Sequence, residues 1–141
     1  VTFAPGTYVI ENQFKLNNNS VVSCTACTFY LKGNATIDFN GGATENFQAP
    51  TTGTYAGILF FGDRSNTSTQ TFNGNNTSSL TGSIYFKKAT IQYNGNYSGA
   101  NGCLYVVGNK VQWSGNTSLN VDCTAYGMLP IPAAYSVKLS E

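Results

Sequence analysis

The chain is 141 residues long, has charged residues at only 9% of its positions and carries a net charge of +1. A balance so near neutral excludes an electrostatic grip on nucleic acid or on an anionic membrane, and the absence of histidine excludes Ser-His-Asp and Cys-His catalysis and a mixed Cys/His zinc site. Nine Phe, nine Tyr and one Trp set it apart from disordered chains, which are poor in aromatics.

The abundant Asn, Ser, Thr and Gly favour strands joined by tight turns. Residues 6–19 (GTYVIENQFKLNNN) have the outline of a first strand pair. Cys24 and Cys27 follow. Residues 29–42 (FYLKGNATIDFNGG) repeat that outline, and residues 57–61 (GILFF) with 70–75 (QTFNGN) repeat it again around an insertion. Residues 82–96 (GSIYFKKATIQYNGN) then match residues 102–116 (GCLYVVGNKVQWSGN) at a shift of twenty. In that alignment Ile84 meets Leu104, Tyr85 meets Tyr105, Phe86 meets Val106, Ile91 meets Val111 and Tyr93 meets Trp113. The tail differs. Leu129-Pro130-Ile131-Pro132 cannot continue a ladder, since proline lacks an N–H donor. Residues 124–141 read as a terminal cap or return strand, with a last strand over 135–139.

Gly-Asn pairs punctuate the units at Asn34, Asn75, Asn96 and Asn116, in steps of 41, 21 and 20. Each unit reads as an apolar strand, a short corner, an alternating strand and an Asn/Gly turn. No segment shows a capped helical period. The pattern predicts one all-β domain over 1–141, a right-handed parallel β-solenoid with rungs of about twenty residues. An antiparallel β-sandwich is the alternative. In the solenoid Phe39, Phe72, Tyr93 and Trp113 form an aromatic ladder, with Ile37, Ile91 and Val111 inside. The turn asparagines share amide hydrogen bonds along the stack.

The four cysteines do not form the two close pairs of a four-Cys zinc site. Two disulfides are expected, Cys103–Cys123 and Cys24–Cys27, with a redox CxxC as the alternative for the second pair. Neither metal nor cofactor is expected. Asp38 aligns with Thr71, Gln92 and Gln112 and alternates with Ile37 and Phe39. It therefore points outward in a polar stripe, which is a solvated face or a carbohydrate-binding surface. Asp63 and Arg64 sit in the insertion, where binding residues tend to be displayed; the bland reading is a turn cap or ion pair. Tyr55, Tyr97 and Tyr105 are candidates for sugar stacking or for the ladder, Tyr105 more for the core because Tyr85 matches it. Seven Asn-X-Ser/Thr sequons, at Asn18, Asn34, Asn66, Asn75, Asn76, Asn96 and Asn116, are glycan sites or a by-product of the repeat.

Residues 49–65 (APTTGTYAGILFFGDRS) resemble a signature stretch of the C-terminal region of TadG-like proteins, associated with bacterial Flp (tight-adherence) pili. Residues 80–96 resemble that family's next block. The opening FAPGTYVI, the spacing of Cys103 and Cys123 and the ending SVKLSE are also similar to it. The resemblance implies a secreted or envelope-anchored accessory to pilus assembly or adhesion, and it brings no catalytic residues.

The expectation is a non-enzymatic extracellular or cell-surface module for adhesion or for pilus or filament assembly, with end-to-end stacking as one route to a filament. Its partners would be surface proteins, further copies of itself or glycans. Nucleic acid is not among them, and no apolar run reaches the roughly 20 residues that membrane insertion of this segment needs. A carbohydrate-binding module or a degenerate polysaccharide-active β-helix is the alternative. The chain opens in mid-pattern at Val1, without signal peptide or initiator Met, as a trimmed piece of a longer product would.

Overall fold

The computed structural model describes residues 1–97, 103–116 and 122–128. Eleven strands wind into a parallel β-solenoid of about five coils. Every strand pair is parallel, which excludes the antiparallel sandwich.

Each of the first four coils lays a strand on three ladders, not the two that the repeat suggests. The first ladder stacks β1 (Thr2–Phe3), β4 (Val21–Thr25), β7 (Thr44–Gln48) and the opening of β10 (Ser79–Gly95). The second stacks β2 (Gly6–Ile10), β5 (Cys27–Leu31), β8 (Ile58–Gly62), the middle of β10 and the start of β11 (Leu104–Trp113). The third stacks β3 (Gln13–Leu16), β6 (Thr36–Phe39), β9 (Gln70–Gly74) and the ends of β10 and β11. The first-ladder strands read VVSCT and TENFQ; with so many polar residues they resemble turn sequence.

The third ladder follows the predicted register. Ile91 faces Val111 and Tyr93 faces Trp113. On the second ladder the twenty-residue shift fails by two: Gly82 faces Leu104 and Ile84 faces Val106. The two extra residues of coil four are taken up at its corner, between Phe86 and Thr90. An even slip keeps inward side chains inward, so the pattern survives the error. The core reading of Tyr105 is corrected on other grounds: under either register Tyr85 and Tyr105 lie on the outward side, alternating with buried Ile84, Phe86 and Leu104.

The core is a set of in-register columns. Phe39, Phe72, Tyr93 and Trp113 form the predicted aromatic column, with ring centroids 5.7, 6.2 and 4.8 Å apart; the first three are buried, while Trp113 ends the column 46% exposed. Phe29 and Phe60 stack at 5.0 Å on the second ladder. Each buried Phe contributes about 1.5–3 kcal/mol of transfer free energy.

The corner from third to first ladder has the same length in every described case: residues 17–20, 40–43 and 75–78. Each closes with the N–H of its fourth residue donating to the carbonyl of its first: Ser20 to Asn17 at 3.1 Å, Ala43 to Asn40 at 2.8 Å and Ser78 to Asn75 at 3.1 Å. Among the described residues the turn asparagines share one amide bond along the stack, Asn116 N donating to Asn96 Oδ1 at 3.3 Å, and not a continuous ladder. They bond the neighbouring coil's backbone, as when Asn75 Nδ2 donates to the Ala43 carbonyl at 2.7 Å. The other two corners are irregular, and in coil three they take up residues 49–57 and 63–69.

The second of those insertions explains a buried polar residue. Gln70 lies in line with Ile91, fully buried. Pairing of β6 with β9 is reduced to Asp38 opposite Thr71. The Gln70 side chain supplies what the ladder lacks: its Oε1 accepts from Ile37 N at 2.8 Å, and its Nε2 donates to Ser68 O at 2.9 Å. Asn66 in the same loop donates to the Ala35 carbonyl at 2.9 Å.

Both expected disulfides are present. Cys24–Cys27 spans the corner between β4 and β5, where Ala26 has a left-handed φ of 62°. Cys103–Cys123 ties the start of β11 to a 3-10 turn at Thr124–Tyr126 and packs with Met128 and Tyr105 in a small second cluster. The proline segment at 129–132 and the strand expected over 135–139 lie outside the described residues.

Candidate functional site

The predicted polar stripe is in register. Lys15 faces Asp38, Asp38 faces Thr71, Thr71 faces Gln92 and Gln92 faces Gln112. Its side chains bond one another. Lys15 Nζ lies 3.3 Å from Asp38 Oδ2. Thr71 Oγ1 donates to Gln92 Oε1 at 3.3 Å, and Gln92 Nε2 donates to Gln112 Oε1 at 3.4 Å. A stripe that satisfies itself has less to offer a ligand, because each new bond must replace one already made.

Asp63 and Arg64 stand at the end of β8. Asp63 Oδ1 caps the loop, accepting from Ser65 N at 2.9 Å and Ser65 Oγ at 2.7 Å; these bonds hold its carboxyl below the usual range. Asp63 Oδ2 accepts from the Tyr30 hydroxyl at 3.3 Å. Arg64 is exposed and, among the described residues, has no ion pair. Asp63 therefore takes the capping role, while Arg64 remains available.

The aromatic neighbours of this pair form a strip that the sequence reading did not assemble. On the outward side of the second ladder Val9 faces Tyr30, Tyr30 faces Phe61, Phe61 faces Tyr85 and Tyr85 faces Val107. Tyr30 and Phe61 stack at 4.8 Å. Tyr55 reaches in from the insertion at 49–57 to stack on Phe61 at 5.6 Å. These four rings, Asp63 and Arg64 line a shallow hollow of about 570 Å³. Tyr85 also borders a second, more apolar hollow of about 490 Å³ that includes Ile58, Tyr105 and Val107. The signal in the sequence was alternation: Tyr30, Phe61 and Tyr85 each sit one residue from an inward side chain.

Glu45 was also missed. β7 points Glu45 and Phe47 inward, and the Glu45 side chain is fully buried. Its carboxylate accepts from the Tyr97 phenol at Oε1 and from Ser78 Oγ at Oε2, the latter at 3.1 Å. Tyr97 is 3% exposed and stacks on Tyr93 at 4.6 Å, so it is unavailable for sugar stacking. Gly74 makes room for it, since a Cβ there would collide with the Tyr97 ring. Burial pushes the Glu45 carboxyl up to about 7, against the opposing pull of the Tyr97 and Ser78 bonds. Burial likewise raises both tyrosine phenols. A carboxyl sealed in the core cannot meet a substrate, so its role is structural.

Asn66, one of the sequons, is 1% exposed and has its amide engaged, so the folded chain offers no glycan site there. Among the described residues no helix is long and apolar enough to cross a membrane. No family model matches the chain, and no curated protein or solved structure is found to match it.

Proposed function

We propose that the chain is a non-enzymatic extracellular module for adhesion or pilus assembly, and that it engages a protein partner through the aromatic strip of the second ladder. The observation that carries this reading is the in-register set Tyr30, Phe61 and Tyr85, joined by Tyr55 and flanked by Arg64 on a rigid scaffold. Exposed aromatics beside an arginine are the residues that dominate protein–protein interfaces. Phe61 is stacked by both Tyr30 and Tyr55, which closes its faces to a sugar, and the neighbouring Arg64 favours a protein partner. Two disulfides suit an oxidising compartment. The resemblance to the TadG C-terminal region would place such a module beside a pilus.

The test is surface display of the chain on cells, with clumping and retention on cell-protein-coated surfaces as the readout. Replacing Tyr55 and Tyr85 together with Ser should reduce retention about tenfold while thermal melting is unchanged. Unchanged retention would reject the strip as the docking surface.

A further inference from the structure

We infer that the outer face of the first ladder is a separate binding site for an uncharged, hydroxyl-rich polysaccharide chain. This goes beyond the adhesion reading and uses a different face of the molecule.

The face carries two parallel columns of polar side chains. Ser23 faces Asn46 and Asn46 faces Ser79; Thr25 faces Gln48 and Gln48 faces Thr81. Together they line a groove of about 570 Å³ that contains no ionisable side chain. Rows along the stack repeat at about 4.8 Å, and side chains two apart on a strand lie about 7 Å from each other.

The groove differs from the stripe on the third ladder in how its hydrogen bonds are used. There Thr71, Gln92 and Gln112 bond one another. Here Asn46, Gln48, Ser79 and Thr81 make no side-chain hydrogen bond among the described residues. Thr81 is only 4% exposed. No fully buried side-chain polar atom among the described residues lacks a partner, so its unpartnered hydroxyl must open on the groove that it lines. Two carboxamides supply two donors and an acceptor each, and the hydroxyls act as either.

That inventory matches sugar hydroxyls, which also both donate and accept. A charged ligand would lose hydration here with no counter-charge to meet it. An extended peptide would find unpaired backbone at a sheet edge, not on this face.

Affinity electrophoresis tests the assignment, with neutral polysaccharides (dextran, galactomannan, hydroxyethyl cellulose) and acidic ones (alginate, polygalacturonate) cast in the gel. At least one neutral polymer should retard the chain. Asn46→Ala with Gln48→Ala should weaken that retardation about tenfold or more, whereas Tyr55→Ser with Tyr85→Ser should leave it unchanged. Asn46→Lys, at an exposed position, should abolish it without altering the melting temperature, and serves as the second variant if the double Ala variant does not fold. No retardation by any neutral polymer, retardation by acidic polymers alone, or binding that survives Asn46→Lys would each overturn the assignment. Loss through the tyrosine variant alone would do the same, and would leave the aromatic strip as the binding surface.

Discussion

The first and third ladders are built from the same coils, yet they treat polar groups in opposite ways. The third ladder keeps its inner side to apolar and aromatic columns, broken by Gln70, and its outer stripe satisfies itself. The first ladder sets a carboxyl, Glu45, into its inner side; in its outer groove Ser23 bonds Thr2, but Asn46, Gln48, Ser79 and Thr81 make no side-chain hydrogen bond among the described residues. The third ladder thus uses its outer polar groups within the fold, while the first holds both the pH-sensitive group and the groove proposed for a ligand. Apolar stacking and internal bonding lower the free energy of the folded chain but occupy the groups that recognition would need.

The largest effect should come from breaking the aromatic column. Phe72 is fully buried between Phe39 and Tyr93, and Phe72→Ala should cost about 3–5 kcal/mol in urea unfolding of the disulfide-intact chain. A cost below about 1 kcal/mol would show that the column can collapse and that the contrast between ladders is overstated.

The next effect is pH-dependent and belongs to the first ladder. The folded chain holds the Glu45 proton up to about pH 7, against an ordinary value of 4.5. A group whose folded-state pKa is raised favours folding while it is protonated. That contribution is therefore fully present below pH 4.5 and is lost as the pH rises through 7. The full loss is roughly 3 kcal/mol. Melting temperature should fall between pH 5 and pH 8, and Glu45→Gln, which keeps both bonding partners, should flatten the profile and be the more stable form at pH 8. A wild-type profile that is flat, or that rises, would contradict the burial of an ionisable Glu45.

The smallest effect compares one hydroxyl on each ladder. Thr71→Val removes the donor to Gln92 and should cost about 0.5–1 kcal/mol. Thr81→Val removes a hydroxyl that bonds nothing among the described residues, and should be neutral or slightly stabilising. Equal costs in urea unfolding would erase the distinction between the two outer faces.

The third ladder was legible because its signals are local and periodic. Ile37, Phe39, Ile91 and Tyr93 alternate with polar residues, and an Asn/Gly turn follows Phe39, Phe72 and Tyr93 directly. Asp38, Thr71, Gln92 and Gln112 could accordingly be aligned by counting alone. The first ladder was not legible because VVSCT and TENFQ carry too few apolar residues to stand out from turns. Its inward positions become apparent only when Glu45 is seen beside Ser78 and Tyr97, the latter 52 positions away along the chain. The second ladder was read in part. Its strands were found, but a corner two residues longer in coil four displaced the register by two; the outward side of Tyr85 and Tyr105 lay in their alternation with Ile84, Phe86 and Leu104, which that even slip leaves intact.

The four-residue corner between the third and first ladders has a consequence for how this chain can vary. Its turns stack directly on one another: Asn19 N donates to the Gly42 carbonyl at 3.0 Å, and Asn75 reaches Ala43. A Cβ on Gly95 would meet the Gly74 carbonyl oxygen. An added residue in any one turn would lose contact with the turns above and below it, so this edge behaves as a zip with fixed teeth. The opposite corners of coil three already hold loops of nine and seven residues, 49–57 and 63–69, without interrupting the stack. New sequence, whether drifted or grafted, has two hospitable entry points beside the aromatic strip and none along the zip.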